Sequence, residues 1–278
     1  MPHIVATVAE LRAALADFRR GGMRIGMVPT MGALHDGHVA LIAEARKHSD
    51  RVVVSIFVNP TQFAPHEDFD AYPRTLDRDL EKLGSRADIV FTPSAREIYP
   101  DGFATGISVA GPAAGLESDF RPHFFNGVAM VVTKLLIAAT PDIAVFGEKD
   151  YQQLLVVKRL VRDLALPVTI IGAATLREVD GLAMSSRNSY LDSSERKIAG
   201  RLNVILKEAI LQARGTGNLR AAEATATIAL WNAGFGHVDY VAIRDAETLD
   251  HITALERPAR ILAAVKIGKT RLIDNIAM

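Results

Sequence analysis

Short apolar runs alternate in this chain, up to about residue 175, with longer stretches in which apolar residues recur at helical spacing. The run Val52-Val53-Val54 is rich in β-branched residues, which is typical of strands buried on both faces of a sheet. The predicted strands cover residues 25–28, 52–58, 89–91, 143–146 and 168–171. The predicted helices cover residues 39–48, 76–83, 128–138 and 152–164. This alternation predicts an α/β fold built on a Rossmann-like, doubly wound parallel sheet.

The pattern changes near residue 175, where the alternation of strands and helices ends. Two helical stretches, residues 194–213 and 219–233, follow one another across the breaker Gly215-Thr216-Gly217-Asn218. Strand-like segments then cover residues 238–243, 260–267 and 270–273. We therefore predict two domains, a Rossmann-like domain over residues 1–175 and a smaller C-terminal α+β domain over residues 176–278.

Composition narrows the classes of function. The 278 residues carry 32 basic and 32 acidic side chains, so no net positive charge attracts nucleic acid or an anionic membrane. The chain has no cysteine, which excludes disulfides and thiolate metal sites. Its N-terminus lacks the pattern of a signal peptide, and no apolar run approaches the roughly 20 residues that span a bilayer. We expect a cytoplasmic protein without nucleic-acid or membrane partners.

The segment from Val28 to His38 carries the most information about chemistry. It leaves a predicted strand, passes the small residue Gly32 and enters a helix with His35 and His38 three positions apart. Residues at this spacing share a helix face, and the unpaired N–H groups of a helix N-terminus favour phosphate. Histidine donors there can also stabilise charge that develops on an attacked phosphate. Helix capping and a zinc site remain open alternatives, although zinc needs a further protein ligand.

A second constellation follows the predicted strand that ends at Phe146. The sequence Gly147-Glu148-Lys149-Asp150 opens the next helix, and Gln153 lies one position beyond Gln152 in that helix. A lysine at this strand-to-helix position supplies positive charge for phosphate, and an amide side chain can hold a small polar substrate. Capping by Asp150 and solvation of Lys149 are the alternative interpretations.

Two loops add polar groups. The sequence Met184-Ser185-Ser186-Arg187 combines two hydroxyls with a guanidinium, a set suited to binding an anion, and its place between the predicted domains suggests a mobile lid. Asn59 and Gln62 follow the most apolar strand, where they either form a turn or hydrogen-bond a neutral or carboxylate substrate.

Together these blocks resemble the pantoate–β-alanine ligase family of the nucleotidyltransferase superfamily. The similar blocks are residues 29–38, 57–63, 70–75, 147–153, 180–188, 244–249 and 271–275. The resemblance implies ATP-dependent condensation of (R)-pantoate with β-alanine to pantothenate, with Mg²⁺. Pantoyl adenylate would be the intermediate, AMP and pyrophosphate the by-products. It also implies a homodimer, for which residues 109–115 are candidate contacts, and a C-terminal domain that acts as a lid.

The resemblance assigns roles by matching position. The implied catalytic residues are His38, His35, Lys149 and Arg187. The implied ATP-binding residues are Met31, Gly32, His35, His38, Gly147, Lys149, Asp150, Met184, Ser185, Ser186 and Arg187. The implied pantoate-binding residues are Gln62, Gln153 and Met31, with supporting or gating roles for Asn59, Tyr72 and Arg121. No metal ligand is identified; Asp77 and Asp79 are candidates.

One segment departs from the family pattern. Members commonly read Arg-Pro-Gly-His-Phe where this chain reads Arg121-Pro122-His123-Phe124-Phe125. We therefore assign no catalytic role to His123. Two alternatives to the ligase are another nucleotidyltransferase of the superfamily and a non-catalytic nucleotide-binding protein. The second domain and the glutamines favour the ligase over the first, and the intact phosphate-contacting residues disfavour the second. Zero net charge and the lack of an anticodon-binding domain disfavour a tRNA synthetase.

Overall fold

The computed structural model describes residues 1–64, 67 and 69–278. A parallel sheet of six strands, together with the helices that flank it, forms the larger part of the molecule. The strands are β1 His3–Val5, β2 Ile25–Thr30, β3 Arg51–Ile56, β4 Ile89–Phe91, β5 Ile143–Gly147 and β6 Thr169–Ala173. They lie in the order β1-β4-β3-β2-β5-β6, and each neighbouring pair is parallel.

Helices cover both faces of this sheet. They are α1 Val8–Arg20, α2 Asp36–His48, α3 Leu76–Leu83, α4 Ala95–Ile98, α5 Glu117–Phe120, α6 Phe124–Ala139 and α7 Tyr151–Asp163. Successive residues of β3 point to opposite sides, as strand geometry requires. Val53 packs in the cluster that includes residues of α1, α6 and α7, whereas Val52 and Val54 pack with residues of α2 and α3. The continuous apolar runs therefore reflect burial on two faces.

The direction of winding reverses at β2. The chain continues from β2 to β3 on one side, and later places β5 on the other side of β2. In open parallel sheets, ligands bind in the crevice at the carboxyl ends of the strands where the order reverses. Helix α2 follows β2 and helix α7 follows β5. The two strand-to-helix segments singled out in the sequence therefore flank one crevice.

The remainder of the chain forms a smaller α+β unit. Its helices are α8 Ser193–Ala199, α9 Arg201–Thr216 and α10 Leu219–Ala233. Its antiparallel sheet has the order β7-β8-β9, with strands His237–Asp245, Ala259–Ile267 and Thr270–Ala277. The fold class is confirmed: a doubly wound parallel sheet accompanies a smaller α+β unit. The last strand of the larger sheet ends at Ala173, and the boundary near residue 175 stays a prediction.

Two parts of the fold differ from the sequence prediction. Strand β1 and helix α1 are absent from that prediction, although Thr7 and Glu10 form a reciprocal capping box at the start of α1. The predicted helix 194–213 is two helices, because the chain turns at Gly200 between α8 and α9. A Cβ at Gly200 would displace the Asp180 carboxylate, so the break coincides with a close approach of that side chain to the backbone. Among the described residues, no helix has the length and apolar character needed to cross a membrane.

Candidate active site

A cleft of about 1110 Å³ opens at the carboxyl ends of β2 and β5 and extends to the three-stranded sheet. Nearly all of the predicted site residues line it. They are Met31, His35, His38, Asn59, Gln62, Tyr72, Arg121, Gly147, Lys149, Asp150, Gln153, Met184, Ser185, Ser186 and Arg187. The structure thus brings together residues that lie more than 150 positions apart in the chain.

Gly32 is the predicted ATP-binding residue that does not line this cleft. It is buried at φ +84°, and a Cβ there would lie 3.0 Å from Oδ2 of Asp79. Gly32 therefore shapes the turn between β2 and α2. Asp79 holds the same turn, because its carboxylate accepts the backbone N–H groups of Ala33 at 3.0 Å and Leu34 at 2.7 Å. Asp79 is 2% exposed and committed to these amides, and Asp77 is exposed and outside the cleft lining.

The two histidines are locked onto the start of α2. His35 is the N-cap, and its Nδ1 accepts the backbone N–H of Gly37 at 3.1 Å. Nδ1 of His38 accepts the backbone N–H of His35 at 3.2 Å. A Cβ at Gly37 would lie 2.8 Å from the His35 ring, so any larger residue there would displace the imidazole. Because Nδ1 of each ring is an acceptor, a neutral ring carries its proton on Nε2 and can donate that proton to a ligand.

The surroundings keep both imidazoles neutral. Burial, together with the positive charge of Lys149, lowers the pKa of His35 to about 4. Burial also lowers the pKa of His38 to about 3, helped by His35 and Lys149. At neutral pH the pair is therefore two uncharged N–H donors beside a cation, at the positive end of a helix dipole. This combination suits the oxygens of a phosphate group.

Lys149 and Asp150 occupy a short turn between β5 and α7. The turn, Glu148–Asp150, is a single 3-10 turn, and Lys149 Nζ lies 3.9 Å from Oδ1 of Asp150. The Lys149 side chain is 21% exposed and that of Asp150 is 45% exposed. A partly buried ammonium group held loosely by one carboxylate can move its contact to an incoming phosphate. Lys149 also lies close enough to the histidine pair for its charge to lower the pKa of both rings.

Gln62 is oriented by a buried asparagine. Asn59 is 1% exposed and donates to Oε1 of Gln62 at 3.2 Å and to the carbonyl of Gly127 at 3.1 Å. Nε2 of Gln62 is thereby turned to Met31, where it donates to Sδ at 2.8 Å. Thioether sulfur is a weak acceptor, so an oxygen of a bound hydroxyl or carboxylate would replace it favourably. Asn59 thus acts through Gln62.

The adjacent glutamines of α7 have different environments. Gln152 is 4% exposed; its amide donates to the carbonyls of Pro112 and Gly115 and its Oε1 accepts the N–H of Glu117. Gln153 is partly exposed, lines the cleft, and makes no side-chain hydrogen bond to any residue in the described part of the chain. The geometry therefore gives Gln152 a structural task and leaves the Gln153 amide available to a ligand.

The serine-arginine loop crosses to the other wall of the cleft. Ser185 caps a 3-10 turn, Ser186–Tyr190, by accepting the N–H of Arg187 at 3.3 Å. Ser186 Oγ lies 3.1 Å from the hydroxyl of Tyr72, and the Arg187 guanidinium lies 5.9 Å from the centre of the Tyr72 ring. Tyr72 is 5% exposed and so provides a fixed support for this loop. The loop can present two hydroxyls and a cation to an anion in the cleft.

Arg121 ties the rim of the cleft together. Its Nε and Nη2 donate to the Glu67 carboxylate at 2.6 and 2.7 Å, and Nη2 also donates to the carbonyl of Gln62 at 3.1 Å. The guanidinium stacks on Phe124 at 3.9 Å from the ring centre. Phe124 therefore fills a place against Arg121, whereas His123 is exposed and outside the cleft lining.

Sequence reasoning missed the polar residues that join the two units. Glu117 is 6% exposed and accepts from both Nη atoms of Arg271, at 2.7 and 2.8 Å, and from the hydroxyl of Tyr240 at 2.8 Å. Arg260 and Asn275 reach the Lys149 turn from β8 and β9. The sequence did hold a signal, because Arg271, Asp274 and Asn275 belong to the similar block 271–275, to which no role was assigned.

The cleft presents neutral hydrogen-bond donors, cations and amide side chains in separate regions. The histidine pair, Lys149 and the Ser185–Arg187 loop surround a region suited to a polyphosphate. Gln62 and Gln153 supply hydrogen bonds suited to hydroxyls and a carboxylate. Such a site can place a carboxylate next to a phosphate and stabilise the charge that develops between them.

The sequence of this chain is similar, over nearly its whole length, to sequences of one known protein family. The family model for Pantoate-beta-alanine ligase matches residues 3–277. Pantothenate synthetase of Mesorhizobium japonicum is 59% identical over 276 residues, which cover 99% of this chain and 97% of the relative. Pantothenate synthetase of Maricaulis maris is 52% identical over 280 residues, which cover 100% of this chain and 96% of the relative.

Solved structures add the same fold. The crystal structure of pantothenate synthetase from Thermus thermophilus has a TM-score of 0.92 and 46% identity, covering 99% of this chain and 98% of that one. The pantoate-beta-alanine ligase from Francisella tularensis, complexed with beta-gamma ATP and beta-alanine, has a TM-score of 0.84 and 37% identity. That match covers 99% of this chain and 97% of the other.

Proposed function

This chain belongs to the pantoate–β-alanine ligase family, and we propose that the cleft between β2 and β5 activates pantoate with the help of His35, His38 and Lys149. The enzyme is a ligase that condenses pantoate with β-alanine in an ATP-dependent reaction and forms an amide bond. ATP is a substrate of this reaction. What we propose here is how the residues of this chain carry it out.

In the first step, the carboxylate of pantoate attacks the α-phosphorus of ATP and pyrophosphate leaves with the electrons of the broken P–O bond. Nε2–H groups of His35 and His38 donate to the phosphate oxygens on which charge accumulates, and Lys149 neutralises part of that charge. The observation that carries this proposal is that both Nδ1 atoms accept backbone N–H groups, at 3.1 and 3.2 Å. Each neutral ring is therefore a fixed donor before ATP arrives.

The nucleotide would lie against the remaining polar groups of the cleft. Met31, Gly147 and Met184 line the adenosine region, Asp150 holds the ribose, and Ser185, Ser186 and Arg187 contact the leaving pyrophosphate. Gln62 and Gln153 hold pantoate through its hydroxyls and carboxylate. Asn59, Tyr72 and Arg121 act on these contacts indirectly, by fixing Gln62, the serine loop and the rim.

In the second step, the amine of β-alanine attacks the acyl carbon of pantoyl adenylate. The amide bond forms, the amine loses a proton, and AMP leaves with the oxygen that joined it to the acyl group. No covalent bond to the enzyme is required in either step. This agrees with the hydrogen-bond donors and cations around the histidine pair and Lys149, since positioning and charge stabilisation can supply most of the catalysis.

We also propose that Mg²⁺ accompanies ATP. Within residues 1–64, 67 and 69–278, no group of three or more histidine, aspartate or glutamate side chains is arranged to hold a metal ion. Mg²⁺ commonly keeps several water ligands and binds through substrate phosphates, so it needs few ligands from the protein. When bound, the ion would neutralise charge on the phosphates. We further propose that the protein is a homodimer and that it acts in the cytoplasm, where ATP is available. Sedimentation of the purified protein tests the dimer.

Exchange of labelled pyrophosphate into ATP tests the proposed first step. The purified protein is incubated with ATP, Mg²⁺ and labelled pyrophosphate, with or without pantoate and in the absence of β-alanine. We expect exchange only when pantoate is present, because the adenylate forms reversibly. Exchange without pantoate would favour a different nucleotidyltransferase, and no exchange under either condition would contradict the proposed step.

A further inference from the structure

Asn275 in β9 clamps the turn that carries Lys149. Its Nδ2 donates one hydrogen bond to the carbonyl of Glu148 at 2.9 Å and another to the carbonyl of Lys149 at 2.8 Å. Asn275 is 4% exposed, so water does not compete for these bonds. One side chain of the smaller unit thus fixes two consecutive peptide groups in the larger one.

The two bonds determine how the turn is oriented. In a trans peptide the C=O and the following N–H point in opposite directions. With both carbonyls drawn to Asn275, the N–H groups of Lys149 and Asp150 point away from β9. The two peptide planes on either side of the Lys149 Cα are therefore fixed, and with them the direction in which its side chain leaves the backbone.

Arg260 in β8 supports the same clamp. It donates to Oδ1 of Asn275, pairs with the Glu148 carboxylate at 3.1 Å, and lies over the Tyr151 ring at 3.6 Å from its centre. Arg260 is 8% exposed. Because Oδ1 is taken by Arg260, the Asn275 amide can present only its N–H groups to the turn. The residues on both sides of Lys149 are thus held by one connected set of contacts from β8 and β9.

We propose that Asn275 is a positioning residue for Lys149, so that the phosphate site is complete only when β9 is docked on the larger unit. The inference rests on the proposed role of Lys149 in binding ATP phosphate. A primary amide suits this task, because it combines two donors with one acceptor. Aspartate at position 275 would present only acceptors to the two carbonyls, and serine would supply a single donor.

The test measures the KM values for ATP and for pantoate in pyrophosphate exchange. Asn275→Ala should raise the KM for ATP by about tenfold, since two buried hydrogen bonds that orient Lys149 are lost, while the KM for pantoate changes by less than about twofold. Asn203→Ala is the matched control, because Asn203 is a buried amide, 1% exposed, that contacts Asp274 and not the turn. If Asn275→Ala does not fold, Asn275→Ser retains one donor and should show a smaller rise in the same constant.

A double-mutant cycle separates positioning from general stability. In a Lys149→Ala background, Asn275→Ala should add almost nothing to the KM for ATP, because the residue that it positions is gone. An equal rise in both backgrounds, an unchanged KM for ATP, or the same rise in Asn203→Ala would overturn the inference. Wild-type ATP affinity in Lys149→Ala alone would instead overturn the role of Lys149 in the proposed function.

Discussion

The imidazole rings of His35 and His38 lie with their centres 4.1 Å apart and their planes tilted by 44°. The backbone links them as well, since Nδ1 of His38 accepts the N–H of His35. Two positive charges at this separation would repel strongly in a partly buried site, so the arrangement is stable only when the rings are neutral. The pair is therefore arranged to donate hydrogen bonds and not to carry charge.

Replacement of His38 tests the contribution of one such donor. His38→Ala should raise the barrier of pantoate-dependent exchange by roughly 2–4 kcal/mol, the range found for other preorganised donors. This corresponds to a rate loss between about 30-fold and 1000-fold. The exchange rate at saturating ATP and pantoate is the quantity to measure.

His123→Ala is the matched control for that experiment. His123 is exposed and outside the cleft, and it occupies the segment where this chain departs from the usual family pattern. We expect a rate close to that of the unmodified enzyme. A large loss in His123→Ala, or near-normal turnover in folded His38→Ala, would mean that the catalytic histidine has been misplaced.

The lowered histidine pKa values predict a pH dependence of stability. The folded values are about 4 for His35 and about 3 for His38, below the ordinary value of 6.5. As the pH falls below about 6.5, the unfolded chain takes up protons that the folded chain does not bind, so stability is lost progressively down to the folded pKa values. The melting temperature is measured between about pH 7.5 and about pH 4.5. It should decrease less over this range for His38→Gln than for wild type. Parallel curves would show that His38 does not titrate in this way.

Substitutions of the adjacent residues Gln153 and Gln152 should have different effects, one on substrate binding and the other on stability. Gln153→Ala should raise the KM for pantoate by roughly tenfold, through loss of substrate hydrogen bonds, and leave the melting temperature unchanged. Gln152→Ala should lower the melting temperature, because it removes a buried amide that donates to Pro112 and Gly115 and accepts from Glu117. Equal increases in the KM values for ATP and pantoate in Gln153→Ala would argue against a contact with pantoate.

The contrast between the two glutamines shows where sequence reasoning succeeds and where it stops. The crevice was predictable because β2 and β5 are apolar runs followed at once by polar helix starts, and parallel sheets place such ends together. The spacing of His35 and His38 is likewise a local property. Gln152 also lines the cleft, and its structural role depends on contacts with the turn Gly111–Ala113, about 40 residues away, that no local sequence pattern indicates.

The contacts between the two units also could not be predicted from the sequence. Asn275 lies 126 residues from Lys149, and no periodic pattern relates them. Helix α1 is hard to predict for a different reason, since only Leu11 and Leu15 of its residues are fully buried and its apolar stripe is narrow. Gly200 looks like part of a continuous helix in the sequence because its role depends on the distant Asp180 carboxylate.

The buried ion pair between Glu117 and Arg271 predicts a large effect on stability. Removing one partner of a buried pair leaves the other charge uncompensated, which costs roughly 3–5 kcal/mol. The destabilisation by Glu117→Gln should lie near the lower end of this range, because Arg271 keeps its contact with Asp239 at 2.6 Å. Urea unfolding measures this free energy. Asp17→Asn, which breaks an exposed pair with Arg20, is the control and should change the unfolding free energy very little. An equally small effect of Glu117→Gln would show that this pair does not join the units.

The central claim is that the carboxylate of pantoate attacks the α-phosphorus of ATP in this cleft, and transfer of oxygen tests it most directly. Pantoate labelled with ¹⁸O in both carboxylate oxygens is converted with β-alanine and ATP, and the products are analysed by mass spectrometry. The account predicts one labelled oxygen in the phosphate of AMP, one in the new amide carbonyl, and none in pyrophosphate. Label in inorganic phosphate together with ADP, or unlabelled AMP, would contradict it.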